Sequence, residues 1–151
     1  MSIFHSLNIS SSALTAQRLR MDVISSNIAN AETTRATQDE NGEYLPYQRK
    51  MVSLESKGQS FRSMLNRTSG MEAKVGSGVQ VREIQVDEEP FKLVFNPNHP
   101  DADEAGYVQL PNVDPLQEMV DLMSATRSYE ANVTSINATK GMLMKALEIG
   151  K

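Results

Sequence analysis

Leu7, Leu14, Met21 and Ile28 recur at every seventh residue, and Ile3, Ser10, Gln17, Ile24 and Ala31 fill the alternate spacing between them. That alternation of three and four residues marks a helix burying one narrow seam, with the first set at heptad position a and the second at d. Neither Gly nor Pro interrupts Ser2 to Asn30, so a single helix of roughly 40 Å is allowed. Ser10 and Gln17 put polar groups into the seam, which makes this helix marginal on its own. The other end of the chain repeats the design. Asp114, Pro115 and Gln117 supply an N-cap, a proline at the first helical position and the distal half of a capping box. Met119, Thr126, Val133, Lys140 and Leu147 then alternate at heptad spacing with Leu122, Tyr129, Ile136 and Leu143. Gly141 weakens this helix by about 1 kcal/mol relative to Ala, and Gly150 suits its stop.

Between the helices the pattern changes to period two. Asn41-Gly42 is a type I′ hairpin signal, and Tyr44 to Leu54 reads as a strand broken near Pro46. Gly76-Ser77-Gly78 punctuates the chain again. Val79 and Val81 lie on one phase and Ile84 and Val86 on the other, a slip that implies a bulge near Arg82-Glu83. Phe91, Leu93 and Phe95 alternate, with Tyr107 to Leu110 as their partner strand. Ser56 to Lys74 shows no usable pattern. The expected fold is α+β: long N- and C-terminal helices (residues 1–32 and 114–151) pairing as a coiled-coil-like unit, with a small β-rich middle domain (33–113).

The materials for most chemistry are missing. The 151 residues contain no Cys and no Trp, nine Met and only two His. His5 and His99 have no neighbours at metal-ligand spacing. Asp101-Ala102-Asp103-Glu104-Ala105-Gly106 resembles the start of an EF-hand loop, but Ala105 and Asn112 stand where calcium ligands belong, so it reads as a solvated acidic turn. Gly76-Ser77-Gly78 lacks the Walker lysine, and there is no nucleophile elbow. No catalytic, metal or cofactor site is expected, and the chain is expected not to be an enzyme. The net charge of −4 without a basic stripe argues against nucleic acid. No apolar run approaches a membrane span, and no cleaved secretory signal is expected at the start. Phe4, Val120, Met123, Met142 and Met144 lie off the seams, which favours additional partners.

One stretch is more specific. In Ser25-Ser26-Asn27-Ile28-Ala29-Asn30-Ala31-Glu32-Thr33-Thr34, two Asn residues share a helical face at a spacing that makes both amides available to neighbouring backbone or to another subunit. With Ser12-Ala13-Leu14 and Met21-Asp22-Val23-Ile24 upstream, it resembles the N-terminal signature of bacterial flagellar basal-body rod and hook proteins. Asn96-Pro97-Asn98-His99-Pro100 through Gly106-Tyr107-Val108, then Leu110-Pro111-Asn112-Val113 and Ser128-Tyr129-Glu130-Ala131-Asn132, resemble the proximal-rod members. Thr33-Thr34-Arg35-Ala36 stands where distal-rod and hook members carry Thr-Pro-Gly-Tyr.

The resemblance implies a structural subunit of the proximal rod, exported by the flagellar type III apparatus without signal cleavage and located in the basal body outside the cytoplasmic membrane. It implies polymerisation through the terminal helices into a hollow, torque-transmitting drive shaft. The implied partners are further copies, the rod proteins FlgB, FlgF and FlgG, and the FliE adaptor. The expected subunit-interface residues are Leu7, Leu14, Met21, Ile24, Asn27, Ile28, Asn30, Met119, Leu122, Tyr129, Val133, Ile136, Leu143 and Leu147. Two other readings use the same residues: a coiled-coil adaptor or export chaperone that stays in the cytosol, and a carbohydrate- or metal-binding β domain with helical appendages.

Overall fold

The computed structural model describes residues 3–39, 42–57 and 77–150. It is α+β: two terminal helices, α1 (Ile3–Ala29) and α2 (Pro115–Ile149), enclose six short strands in sequence. These are β1 (Thr37–Gln38), β2 (Tyr44–Leu45), β3 (Lys50–Ser56), β4 (Val79–Val86), β5 (Lys92–Phe95) and β6 (Tyr107–Leu110), joined as three two-stranded sheets in the order of the chain. Residues 1–20, 52–83 and 124–151 form one compact unit, and residues 21–51 and 84–123 form a second.

The helix signals act where the sequence places them. Asp114 Oδ1 accepts the N–H of Leu116 at 3.0 Å, capping α2 just ahead of Pro115. Gly141 interrupts nothing, and a Cβ there would meet no atom within 4 Å. Burial along α2 follows Glu118, Leu122, Ala125, Tyr129, Asn132, Ile136, Thr139 and Leu143, an unbroken alternation of four and three residues. The Leu122 series therefore lies in the inward seam. Its companions are Glu118, Ala125 and Thr139, one position from the Met119 series, and Met119 and Leu147 are exposed. Ala125 and Thr139 are the small members of this line, and both are buried. In α1, Ser10 and Ile24 are buried together with Ala16, Val23 and Asn27, while Leu7, Leu14, Met21 and Ile28 are half-buried.

The strand pairs need tight turns, and glycine supplies them. Gly42 donates to the Asp39 carbonyl and Asp39 to the Glu43 carbonyl, each at 2.9 Å, with Gly42 at φ +82°. That is the bond pattern of a three-residue loop ending in a left-handed glycine, in place of the two-residue type I′ turn expected. Asn41 itself lies outside the described residues. The hairpin of β5 and β6 closes the same way: Gly106 (φ +82°) donates to Asp103, and Asp103 to Tyr107. Phe95 there faces Tyr107 across the ladder, with rings 5.4 Å apart and edge-on. The break at Pro46 separates β2 from β3 as expected. Lys57 donates to the Gly78 carbonyl, and Asp87 to the Arg49 carbonyl. Between those two bonds the β4 side takes one residue more than the β3 side, so an extra residue lies somewhere between Gly78 and Asp87. Gly76 and most of the Ser56–Lys74 stretch (residues 58–74) lie outside the described residues.

Candidate functional site

Within the unit formed by residues 21–51 and 84–123, a polar cluster sits where a protein interior is normally apolar. Asn27 in the last turns of α1 is completely buried, and Glu118 in the first turn of α2 is 1% exposed. The Asn27 carboxamide behaves as a strand residue would. Its Nδ2 donates to the Lys50 carbonyl at 2.8 Å, and its Oδ1 accepts the Lys50 N–H at 3.0 Å. The second Nδ2 hydrogen reaches Glu118 Oε2 at 3.1 Å, and Oδ1 also accepts the Tyr47 hydroxyl at 3.0 Å. All four hydrogen-bonding positions of the amide are used within the chain.

Arg49 completes the arrangement. Its Nε donates to Glu118 Oε1 at 2.6 Å, and Nη1 reaches Asp87 Oδ2 at 3.3 Å. Burial by itself would lower the affinity of this guanidinium for its proton. The hydrogen bonds and charges of Glu118 and then Asp87 outweigh it and hold Arg49 above its ordinary value. Asn112, also buried, repeats the Asn27 device on the neighbouring residue. Its Oδ1 accepts the Arg49 N–H at 2.8 Å, while Nδ2 donates to the carbonyls of Asp87 and Glu89. Two side-chain amides thus satisfy the backbone where β3 begins, and one carboxylate ties α1, α2 and Arg49 together. Each charge is buried only because its partner is.

Asn30, the other half of the sequence signature, acts locally. Its Nδ2 donates to the Ser26 carbonyl at 2.8 Å and its Oδ1 accepts the Thr33 hydroxyl, so it closes the last turn of α1. The two Asn residues therefore take different partners. Further along, Thr34 donates to Asp101 Oδ2 and Arg35 Nε to Oδ1, each at 2.7 Å, joining the post-helix segment to the acidic loop. These hydrogen bonds, Arg35 first, hold the Asp101 carboxyl below its ordinary value. Asp103 Oδ1 accepts the N–H groups of Ala105 and Tyr107, so it serves the turn it stands in.

In the other unit, Ser12 on α1 accepts the Val79 N–H at 3.1 Å and donates to the Ile9 carbonyl. A Cβ on Gly78 would lie 3.2 Å from Ser12 Cβ and closer still to its hydroxyl, so glycine is what lets β4 start against the helix. Apolar side chains off the seams are exposed in both units: Phe4, Met142, Met144, Leu147 and Ile149 in this one, Leu116, Met119, Val120 and Met123 in the other. Among the expected interface residues, Ile24 and Asn27 are buried, Met119 and Leu147 exposed, and the remainder half-buried. Sequence reasoning missed Glu118, Arg49, Asp87 and Asn112; the one available sign was the break at Pro46, which leaves a short segment needing backbone partners from elsewhere.

No helix among the described residues is long and apolar enough to cross a membrane. The chain runs helix, strands, helix, with apolar side chains exposed along α2, an architecture suited to a structural subunit, and the comparisons specify which. Residues 7–37 match a family model described as flagella basal body rod protein, and residues 104–149 match one described as flagellar basal body rod FlgEFG protein C-terminal. Over the full length of both chains, the sequence is 66% identical to the flagellar basal-body rod protein FlgC of Bacillus subtilis strain 168. It is 44% identical to the FlgC of Borreliella burgdorferi over 99% of this chain and 98% of that one, and 39% identical to that of Escherichia coli O6:H1 over all of both. The chain belongs to the FlgC family of flagellar basal-body rod proteins. It is a structural component of the flagellar basal body, assembling with other rod proteins, and not an enzyme; the cytosolic adaptor and the ligand-binding β domain are set aside.

Proposed function

We propose that this chain polymerises through its terminal helices to build the hollow proximal rod, with residues 1–32 and 114–151 as the rod core and residues 33–113 as the middle domain. The two helices pair in antiparallel, coiled-coil-like fashion, and Leu7, Leu14, Met21 and Ile28 contribute with Val133, Ile136, Leu143 and Leu147 both to this pairing and to contacts with neighbouring subunits. The observation that carries the reading is the buried Asn27–Glu118–Arg49 cluster, which ties the end of α1 to the beginning of α2 and so sets their register. Met119 and Leu147 are exposed, so both have surface available to neighbours. Asn27 acts as an internal brace, and Asn30 shapes the exit from α1.

In this reading the neighbours are further copies, FlgB, FlgF and FlgG along the rod, and FliE at its base. The chain reaches its place through the flagellar type III export apparatus without cleavage of a signal. Torque is carried because many seams in a closed tube must shear together. The test is Ile136→Asp in a flagellated host. A charge in the half-buried seam, without a partner, blocks rod assembly and leaves cells without hooks. Normal hooks in that strain would refute the pairing.

A further inference from the structure

Cross-strand partners share a face, so Leu93 with Gln109 and Phe95 with Tyr107 lie together on one side of the β5–β6 hairpin, and Val94 with Val108 on the other. Val108 is 2% exposed, which marks its side as the one that packs inward. The opposite side is open: Leu93 is 66% exposed, Phe95 63% and Tyr107 45%. A solvated strand face ordinarily carries polar side chains. Here it carries two of the chain's eight aromatic residues beside a leucine, with the two rings already edge-on to each other. Aromatic side chains clustered on an exposed face are the usual anchors of a contact site.

The charge around this face has one sign. Residues 88–114 contain six Asp and Glu against a single Lys, a net of −5. The Lys92 amine is taken up by the Val113 carbonyl at 2.9 Å, and Asp101 is engaged by Arg35. Asp103 and Glu104 are exposed and form no ion pair with a described residue. Asp103 Oδ1 accepts the Tyr107 N–H at 2.8 Å, which sets this carboxylate beside the aromatic face. Ring faces attract a cation and carboxylates pair with it; a guanidinium uses both, because it is planar and permanently charged. We propose that the outward face of the β5–β6 hairpin docks an arginine-bearing peptide segment of a protein other than this one, the guanidinium stacking on the Phe95–Tyr107 pair and pairing with Asp103 and Glu104. The face belongs to residues 33–113 and takes nothing from either helix, so the contact is separate from polymerisation. A second copy pressing the same face would set these carboxylates against themselves.

The full chain, isotope-labelled at Phe and Tyr, is titrated with tri-arginine amide at about 50 mM salt and followed by NMR. The Phe95 and Tyr107 ring signals move and saturate. Tri-lysine moves them less, since an ammonium has no planar face, and tri-glutamate leaves them in place. Leu93→Ser and Phe95→Ser remove parts of the apolar surface. Asp103→Asn combined with Glu104→Gln removes the charge, while the Asn oxygen still accepts the Tyr107 N–H. Leu93→Ser, Phe95→Ser and the neutralised pair each weaken tri-arginine binding by roughly fivefold or more, with the parent's circular dichroism retained. Should Phe95→Ser disturb the hairpin, Leu93→Ser and the neutralised pair carry the test. Ring signals that tri-arginine does not move, or an affinity unchanged in both of those variants, would overturn the proposal. So would ring signals that shift when the protein alone is concentrated, which would assign the face to a second copy.

Discussion

At the scale of the residue, Glu118 is the position on which the helix ends depend most. It is almost fully buried, with one oxygen held by Arg49 and the other by Asn27. Glu118→Ala leaves the Arg49 guanidinium with Asp87 as its near partner and one Asn27 Nδ2 hydrogen without an acceptor. Removing one member of a buried pair costs about 3–5 kcal/mol, a large share of the roughly 5–15 kcal/mol that holds a domain folded. Urea denaturation of the full chain measures it; a loss under about 1 kcal/mol would show that the cluster is not a brace. Asp101 has a different signature. Its carboxyl is held below the ordinary value by Arg35 and Thr34, so it binds protons more weakly folded than unfolded. The stabilisation is therefore complete above the unfolded value of about 3.9 and is lost as pH falls through the lower folded value. Asp101→Asn should flatten that acid limb, as denaturation at a series of pH values below about 5 would record. An unchanged limb would assign the acid sensitivity elsewhere.

At the scale of the element, the two hairpin glycines separate backbone strain from crowding. Both Gly42 and Gly106 take φ +82°, but a Cβ on Gly42 meets nothing within 4 Å, whereas one on Gly106 lies 3.0 Å from the Phe95 ring. Gly42→Ala should cost about 1–2 kcal/mol from backbone conformation alone. Gly106→Ala should cost that and more, with disturbance of the Phe95–Tyr107 pair visible in ring chemical shifts; equal losses would mean the ring moves aside freely. The elements themselves were legible, because caps, breaks and periodicity are local. The N-cap at Asp114, the break at Pro46, the pairing of β5 with β6 and the Leu122 series all lie where the sequence places them. The second line of the α2 seam was not legible. Met119 and Leu147 look like core by size, while the face that is buried uses Ala125 and Thr139. Glu118 was hidden for a related reason. A helical Glu is ordinarily solvated, and the partners that bury it, Arg49 and Asn27, lie 69 and 91 residues away in the chain.

At the scale of the whole molecule, the chain reads as a part that is complete only in an assembly. Its aromatic content is 5%, many large apolar side chains among the described residues are exposed, and a satisfied polar cluster is buried where α1 ends and α2 begins. Such a chain gains its remaining burial from neighbours, which fits a FlgC-family rod subunit and gives Met119, Val120, Met142 and Leu147 something to do. The most direct test of that account is to delete the gene from its host, score swimming, and isolate hook–basal bodies for electron microscopy. The account predicts loss of both rod and hook, with both restored by the wild-type chain. Intact basal bodies and normal swimming in the deletion strain would contradict it.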